Sequence, residues 1–280
     1  MKDTAENPKV TSQVNTAAIK AKFPLKWFLL VLLLIIAGAW LWFTPPGFWG
    51  KLGAIGYAVC HQIAARSYHV HDQQVPLCAR CTGMYLGAML GIVFQLVQGK
   101  KGAYPPLKTI LIMALMVVAF GLDGVNSYIH FFPSVAALYE PHNTLRLITG
   151  TGMGLAISAA IVPAFHQTIW VKWQKNSGLG SWKQLGLLLI LAALLVLAVL
   201  SGSSWAILSL AIISTGSVFI LLTMIYSMVW VMLLKKENTY THFKQLTVPL
   251  LGGVLTALLQ IGAFDLARYL LTGTWAGLNL

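Results

Sequence analysis

The stretch that decides the fold is WAILSLAIISTGSVFILLTMIYSMVWVMLL, from Trp205 to Leu234, thirty residues without one charged side chain. About 20 apolar residues are enough for an α-helix to cross the hydrocarbon core of a bilayer. A run of this length and composition therefore predicts a transmembrane helix, long enough to tilt or to project beyond the membrane.

Six other apolar runs approach the same length. Together the runs predict about seven transmembrane helices, at Trp27–Phe43, Thr82–Gln98, Leu107–Leu122, Leu145–Phe165, Leu185–Leu200, Trp205–Leu234 and Leu246–Leu271. Only 9% of the 280 residues are charged, whereas a soluble domain has about a quarter. The predicted fold class is all-α, a polytopic membrane helix bundle.

One membrane domain is predicted, because no repeat, low-complexity tract or second soluble domain interrupts the chain. It covers residues 27–272, with a motif core at 57–154 and C-terminal helices at 185–272. Residues 1–26 form a tail before it, and residues 273–280 form a tail after it.

Lysines and arginines are distributed unevenly among the predicted loops. Fourteen of the 19 fall in the N-terminal tail and around the loops after the second, fourth and sixth spans: Lys2, Lys9, Lys20, Lys22, Lys26, Lys100, Lys101, Lys108, Lys172, Lys175, Lys183, Lys235, Lys236 and Lys244. By the positive-inside rule, these segments face the cytoplasm. The net charge of +12 is therefore a topology signal, and no nucleic-acid partner is expected.

A polar segment after the first span gathers soft metal ligands. The stretch CHQIAARSYHVHDQQVPLCARCTG, from Cys60 to Gly83, holds all three cysteines and three of the seven histidines. Cys78 and Cys81 lie one turn apart at the start of a predicted helix, where the helix dipole and Arg80 favour thiolates.

A Cys-x-x-Cys pair with a third cysteine and one histidine provides the four soft ligands of a tetrahedral zinc site. We therefore predict a Zn²⁺ site formed by Cys60, His61, Cys78 and Cys81. His69 and His71 are alternatives to His61. Three other interpretations stay open: a structural disulfide, redox-active thiols, and no role for the cysteines.

A second polar cluster begins near the end of the third span. Asp123 is a candidate oxygen ligand or general base, and Arg146 can bind a phosphate or carboxylate in bidentate fashion. With Asn143 they are our candidate catalytic residues. The structural alternatives are an Asp123–Arg146 ion pair, Asn143 as a helix N-cap, and an intrahelical pair between Asp265 and Arg268.

Gly83 and Gly87 stand four residues apart in the second span. Small residues at this spacing let two transmembrane helices approach closely. Close packing of this helix is therefore predicted, in preference to a binding role for the glycines.

The motifs CHQ, RSY, PLCARCTGMYLG, LDG and NTLRLITG resemble, in combination, the bacterial membrane proteins of Domain of Unknown Function family 2085, over about Tyr57 to Gly154. The resemblance implies a multi-pass membrane protein without an established activity. The positions that match the family pattern are Cys60, His61, Arg66, Ser67, Cys78, Arg80, Cys81, Gly83, Asp123, Gly124, Asn143, Arg146 and Gly150. The expected location is a bacterial inner (cytoplasmic) membrane, with a cytoplasmic N-terminus and the motifs outside.

Four functions follow from these features. The first is a membrane enzyme whose zinc site adjoins a cluster that engages an anionic or phosphate-bearing small molecule or lipid. The second is a structural or assembly protein with a metal- or disulfide-braced outer loop. The others are a thiol redox protein and a transporter, although transporter sites usually lie near the bilayer centre. Membrane lipid is an expected partner of each.

Overall fold

The computed structural model describes residues 22–71, 73–130, 132 and 138–278. Most of the predicted tail 1–26 therefore lies outside the described residues. Within these ranges the helices are α1 (Lys22–Phe43), α2 (Gly47–Val59), α3 (Ala79–Leu96), α4 (Leu107–Ile129), α5 (Asn143–Ile169), α6 (Trp182–Leu200), α7 (Ser204–Leu233) and α8 (Thr247–Thr272). Seven are long and apolar enough to cross a membrane, which confirms the predicted number, and α2 is too short.

A β-hairpin, which the sequence did not predict, joins α2 to α3. Strands β1 (Ser67–Val70) and β2 (Gln73–Cys78) pair antiparallel, with Ser67 opposite Cys78. The backbone of His71 has a positive φ of 46° at the reversal. Such a φ is unusual for a residue other than glycine, so the turn carries no clear sequence signal.

Helices α3 and α5 form the closest helix pair of the bundle through backbone contact. A Cβ added to Gly83 would lie 2.3 Å from the carbonyl oxygen of Leu147, and one added to Gly87 would lie 2.3 Å from that of Thr151. Two glycines of α5 are equally close to α3: Gly150 and Gly154. The predicted packing role of Gly83 and Gly87 is confirmed.

Helix α8 contacts α7, α1 and α2. Trp40 of α1 donates its indole N–H to the carboxylate of Asp265 over 2.9 Å. Arg268 donates instead to the carbonyl oxygen of Cys60, in the loop that follows α2. The intrahelical Asp265–Arg268 pair was therefore a wrong expectation, because each side chain has a partner on another element.

The two ends of the bundle differ in structure and charge. At one end, which we call the hairpin end, lie α2, the hairpin and the N-termini of α3 and α5. At the opposite end the connecting loops bridge one another, Lys101 with Gln174 and Trp170 with Tyr240. Nine lysines belong to these loops and the adjoining helix ends: Lys100, Lys101, Lys108, Lys172, Lys175, Lys183, Lys235, Lys236 and Lys244. The orientation in a membrane stays a prediction.

Candidate metal centre and arginine cluster

The three cysteines meet because the chain reverses twice between them. Cys60 ends α2, whereas Cys78 ends β2 and is the N-cap of α3. Between them Gln62 has a positive φ of 52°. Its buried amide nitrogen donates to the carbonyl oxygens of Gly53 and Pro76 over 2.9 and 2.8 Å. Gln62 thus fixes the loop that brings Cys60 to Cys78.

Ligand atoms converge at this point. One ligand atom each from Cys60, His61 and Cys78 lies within 4.8 Å of the others, a group that can hold a metal ion. Cys81 is not a member of this group; it lies on the first turn of α3, three residues after Cys78. Three of the four residues of the predicted ligand set therefore converge, and the fourth stands one helical turn from Cys78.

Neither the alternative histidine ligands nor the alternative disulfide is found at this group of ligand atoms. His69 and His71 are exposed and belong to no group of metal-ligating side chains among the described residues. All three cysteines are free thiols, so the predicted disulfide alternative is not formed in this structure.

The side chains around Cys78 favour its thiolate. The neighbouring Cys60, Cys81 and His61 side chains hold the pKa of Cys78 well below its usual range despite burial. The neighbouring Cys78 side chain, together with burial, raises the pKa of Cys60 to about 12. The backbone N–H of Cys78 also donates to the Cys60 sulfur over 3.2 Å. A metal ion that replaced the thiol protons would find the sulfurs of Cys60 and Cys78 already within 4.8 Å of each other.

His61 is oriented differently from a typical ligating histidine. Its Nδ1 accepts a hydrogen bond from the backbone N–H of Ile63 over 3.0 Å. A metal-ligating histidine usually donates from its second nitrogen. Ligation through Nε2 would thus require the Ile63 bond to break, because Nδ1 would carry the ring proton. The cysteines are therefore the better-prepared ligands.

A residue far away in sequence secures the backbone of this loop. The Arg268 guanidinium donates to the carbonyl oxygens of Tyr57 and Cys60 over 2.8 and 2.6 Å, and to that of His61 over 3.1 Å. It also stacks on the Tyr57 ring at 3.9 Å. The sequence analysis missed this role, since no local pattern connects α8 with the loop.

Asp123 forms its ion pair with Arg80, on the first turn of α3. The Nε of Arg80 donates to Asp123 Oδ2 over 2.9 Å, and an Nη2 contact completes the pair. Tyr139 donates to the other carboxylate oxygen over 2.9 Å. The Asp123–Arg146 ion pair that we considered as the structural alternative is therefore not formed, and Asp123 has both oxygens engaged as a positioning group for Arg80.

Arg146 is buried, with 6% of its surface exposed. Its Nη1 donates to Asn143 Oδ1 over 2.8 Å, and its Nε has no hydrogen-bond partner within the described ranges. Asn143 is not the N-cap that we considered. The N-cap is His142, whose side chain accepts from the N–H of Thr144.

Arg66, Arg80 and Arg146 form what we call the arginine cluster. Arg66 donates to the carbonyl oxygen of Ser127 over 3.2 Å, and Arg80 donates to the hydroxyl of the same residue over 2.8 Å. Burial first, and then the charge of Arg146, lowers the pKa of Arg66, while Cys78 opposes this effect. The arginine cluster and the thiols are thus electrostatic neighbours.

Comparison with known proteins identifies the family. A family model described as "Predicted membrane protein (DUF2085)" matches residues 60–160. An uncharacterized protein of Methanocaldococcus jannaschii is 33% identical over 132 residues, 45% of this chain and 79% of the relative. An uncharacterized protein of Methanothermobacter thermautotrophicus is 31% identical over 107 residues, which are 37% of this chain and 86% of the relative. The chain belongs to the DUF2085 family. No solved structure matches it.

The DUF2085 match begins at the first thiol and ends in α5. It includes every residue proposed for metal binding or catalysis: Cys60, His61, His69, His71, Cys78, Cys81, Asp123, Asn143 and Arg146. Arg268 and helices α6 to α8 lie beyond it. Both relatives are archaeal, so the bacterial origin expected from the resemblance is not confirmed.

Asp123→Asn is expected to destabilise this DUF2085 protein by about 2 kcal/mol, because Arg80 would lose its ion partner at a largely buried site. This loss of stability is smaller than for a fully buried ion pair, because the Arg80 side chain is 16% exposed and solvent screens its charge. Chemical unfolding in detergent would measure the change. Glu140→Gln removes an exposed carboxylate and is the matched control. Equal stability of the two variants would contradict a structural role for the Arg80–Asp123 pair.

Proposed function

We propose that the protein is a zinc-binding membrane protein in which Cys60, Cys78, Cys81 and His61 hold one zinc ion. The observation that carries this proposal is the convergence of ligand atoms from Cys60, His61 and Cys78 within 4.8 Å. Cys81, three residues after Cys78 on the first turn of α3, would supply the third sulfur. Three sulfurs and one imidazole nitrogen are a donor set that zinc prefers. When bound, the ion supplies a cross-link between the end of α2 and the start of α3.

The hairpin end is proposed to face the outside of a cytoplasmic membrane. Support comes from the nine lysines at the opposite end, which the positive-inside rule assigns to the cytoplasm. The arginines of the hairpin end do not contradict this assignment, because at least Arg80 and Arg146 are held by specific bonds inside the protein.

Zinc would act on the arginine cluster through structure. Arg80 lies between two of the ligands, Cys78 and Cys81, so the ion would fix the first turn of α3 and with it the Arg80 guanidinium. Four protein ligands are typical of a structural zinc site. We therefore propose that a zinc-braced loop supports an arginine cluster that engages an anionic or phosphate-bearing substrate.

A membrane enzyme with catalytic zinc is the second candidate. One observation favours it: a cavity of about 470 Å³ borders Cys60, His61 and Arg268. Since the Ile63 bond competes for His61, the imidazole can leave the metal, and water could reach the fourth position from this cavity. The two candidates therefore differ in whether the fourth ligand position is open.

Metal analysis of the purified protein tests the proposal. We expect one zinc per chain, with three thiols that react with a maleimide only after a strong chelator removes the ion. Replacing zinc by Co²⁺ gives a spectrum that reports tetrahedral thiolate ligation. Added azide would leave this spectrum unchanged for a closed structural site and would change it for an open catalytic one.

A different result would contradict the proposal. Protein free of zinc, with all three thiols reactive from the start, would exclude a metal centre. Thiols that cycle between oxidised and reduced forms with a dithiol donor would favour the thiol redox function instead.

A further inference from the structure

An apolar groove opens between α4, α5 and α6. It has a volume of about 490 Å³ and is lined by residues such as Met116, Ala119, Leu155, Leu189 and Leu200. Several lining side chains are exposed on the membrane-facing surface of the bundle, Ile148 and Leu197 among them. The groove is therefore accessible from the bilayer.

The length of the groove matches one leaflet. Its lining residues on α6 extend from Leu189 to Leu200, a distance of about 16 Å at the helical rise of 1.5 Å per residue. The hydrocarbon core of a bilayer is about 30 Å thick, so one leaflet takes up about half of it. Leu200 lies at the end of α6, so the groove runs from the hairpin end to about the middle of the membrane.

The part of the groove that lies at the hairpin end adjoins the arginine cluster. Thr149 lines the groove, and its hydroxyl is 3.4 Å from the Asp123 oxygen that pairs with Arg80. Arg146 lies one helical turn before Thr149 on α5, and therefore on the same side of the helix. The apolar groove and the arginine cluster thus meet at the depth where lipid head groups are found.

Arg146 supplies the independent sign of a ligand. It is buried, its Nε is unpartnered in the described part of the chain, and no carboxylate there lies within ion-pair distance of it. A buried charge without an ion partner is costly. A phosphate that accepted hydrogen bonds from this guanidinium would remove that cost, and arginine matches phosphate in bidentate geometry.

We propose that this site binds a phospholipid of the outer leaflet, with its phosphate at Arg146 and the adjoining arginines and one acyl chain in the groove between α4, α5 and α6. The inference deepens the proposed function, because it names the phosphate-bearing ligand of the arginine cluster. It does not use the zinc ion, so the two can fail separately.

The test is lipid binding to the whole purified protein in a neutral detergent, measured by native mass spectrometry. The probes are phosphatidylglycerol, a diacylglycerol with the same chains but no phosphate, and inorganic phosphate. We expect phosphatidylglycerol to bind at least about tenfold more tightly than diacylglycerol, from charge-assisted hydrogen bonds. Inorganic phosphate should not displace it at equal concentration, because phosphate has no acyl chain.

Two variants separate the head-group site from the groove. Arg146→Gln should weaken phosphatidylglycerol binding about tenfold or more and leave diacylglycerol binding unchanged. Ala119→Phe fills the groove and should weaken binding of both lipids. Ala114→Phe, on the same helix but outside the groove, is the matched control and should change neither. Zinc content, measured in every variant, reports whether the hairpin end is intact.

Three results would overturn the inference. The first is phosphatidylglycerol affinity equal to that of the wild type in all three variants, Arg146→Gln, Ala119→Phe and Ala114→Phe, while zinc content is retained. The second is displacement of the lipid by inorganic phosphate alone, which would show that the groove contributes nothing. The third is equal binding of phosphatidylglycerol and diacylglycerol, which would exclude the arginine cluster. Loss of zinc in the wild-type protein would instead contradict only the proposed metal centre.

Discussion

Cys78→Ser is expected to reduce the zinc content of the purified protein from one ion per chain to background. Cys78 belongs to the group of ligand atoms that converge within 4.8 Å, with Cys60 and His61. A serine hydroxyl does not ionise near neutral pH, so the site would lose the thiolate that forms most readily. Because binding free energy at a structural metal site contributes to folding, the melting temperature should fall as well.

Two histidine variants sharpen this prediction. His69→Ala removes an exposed imidazole outside the ligand group and should leave zinc content unchanged. His61→Ala should weaken zinc binding by less than Cys78→Ser, because the His61 ring is also engaged by Ile63. If His69→Ala removed the zinc and His61→Ala did not, the fourth ligand would be wrongly assigned. Retention of a full zinc ion by Cys78→Ser would contradict the site.

Gly87→Leu is expected to separate α3 from α5 and destabilise the bundle by about 3 kcal/mol, because overpacking of a close contact forces the backbone to move. A Cβ at this position would lie 2.3 Å from the Thr151 carbonyl oxygen, and a leucine adds three further carbons. The measurement is the unfolding transition in mild detergent as a function of added sodium dodecyl sulfate. Loss of zinc should accompany it, since α3 carries Cys81 and follows Cys78 directly.

Gly216→Leu is the matched control for this variant. Gly216 is also a glycine within a membrane-spanning helix, but a Cβ there would meet nothing within 4 Å. The stability of the Gly216→Leu variant should remain within about 1 kcal/mol of the wild type, as for substitutions away from tight packing. Equal loss of stability in both variants would mean that any glycine replacement is harmful, and that the contact between α3 and α5 has no special importance.

Much of the fold was predictable because membrane insertion imposes a strong local rule. An apolar run of sufficient length is helical in lipid, so hydropathy located all seven long helices. The glycine spacing likewise predicted that α3 packs closely. Helix α2 escaped prediction because its thirteen residues are too few to span a membrane. The hairpin escaped prediction because it is short and lies in the polar segment, where Gln62 and His71 take backbone conformations that their residue types do not signal.

The site was predictable in its membership but only partly in its pairings. The cysteine spacing indicated the ligand group, because two thiols one turn apart are neighbours on any helix. The partner of Asp123 is Arg80, 43 residues away in the chain, and this pairing depends on how α3 and α4 face each other. Local spacing favoured Asn143 as N-cap, yet Asn143 is already the first helical residue, and His142 before it is the N-cap.

The bonds from Arg268 have a consequence for the order of assembly. This residue is translated 208 positions after Cys60, whose carbonyl oxygen it binds. Until α8 has left the ribosome and entered the bilayer, the backbone around the first thiol lacks the donor that holds it. The loop therefore reaches its final form only after α8 is inserted, because a nascent chain stalled before that point would lack the three hydrogen bonds from Arg268.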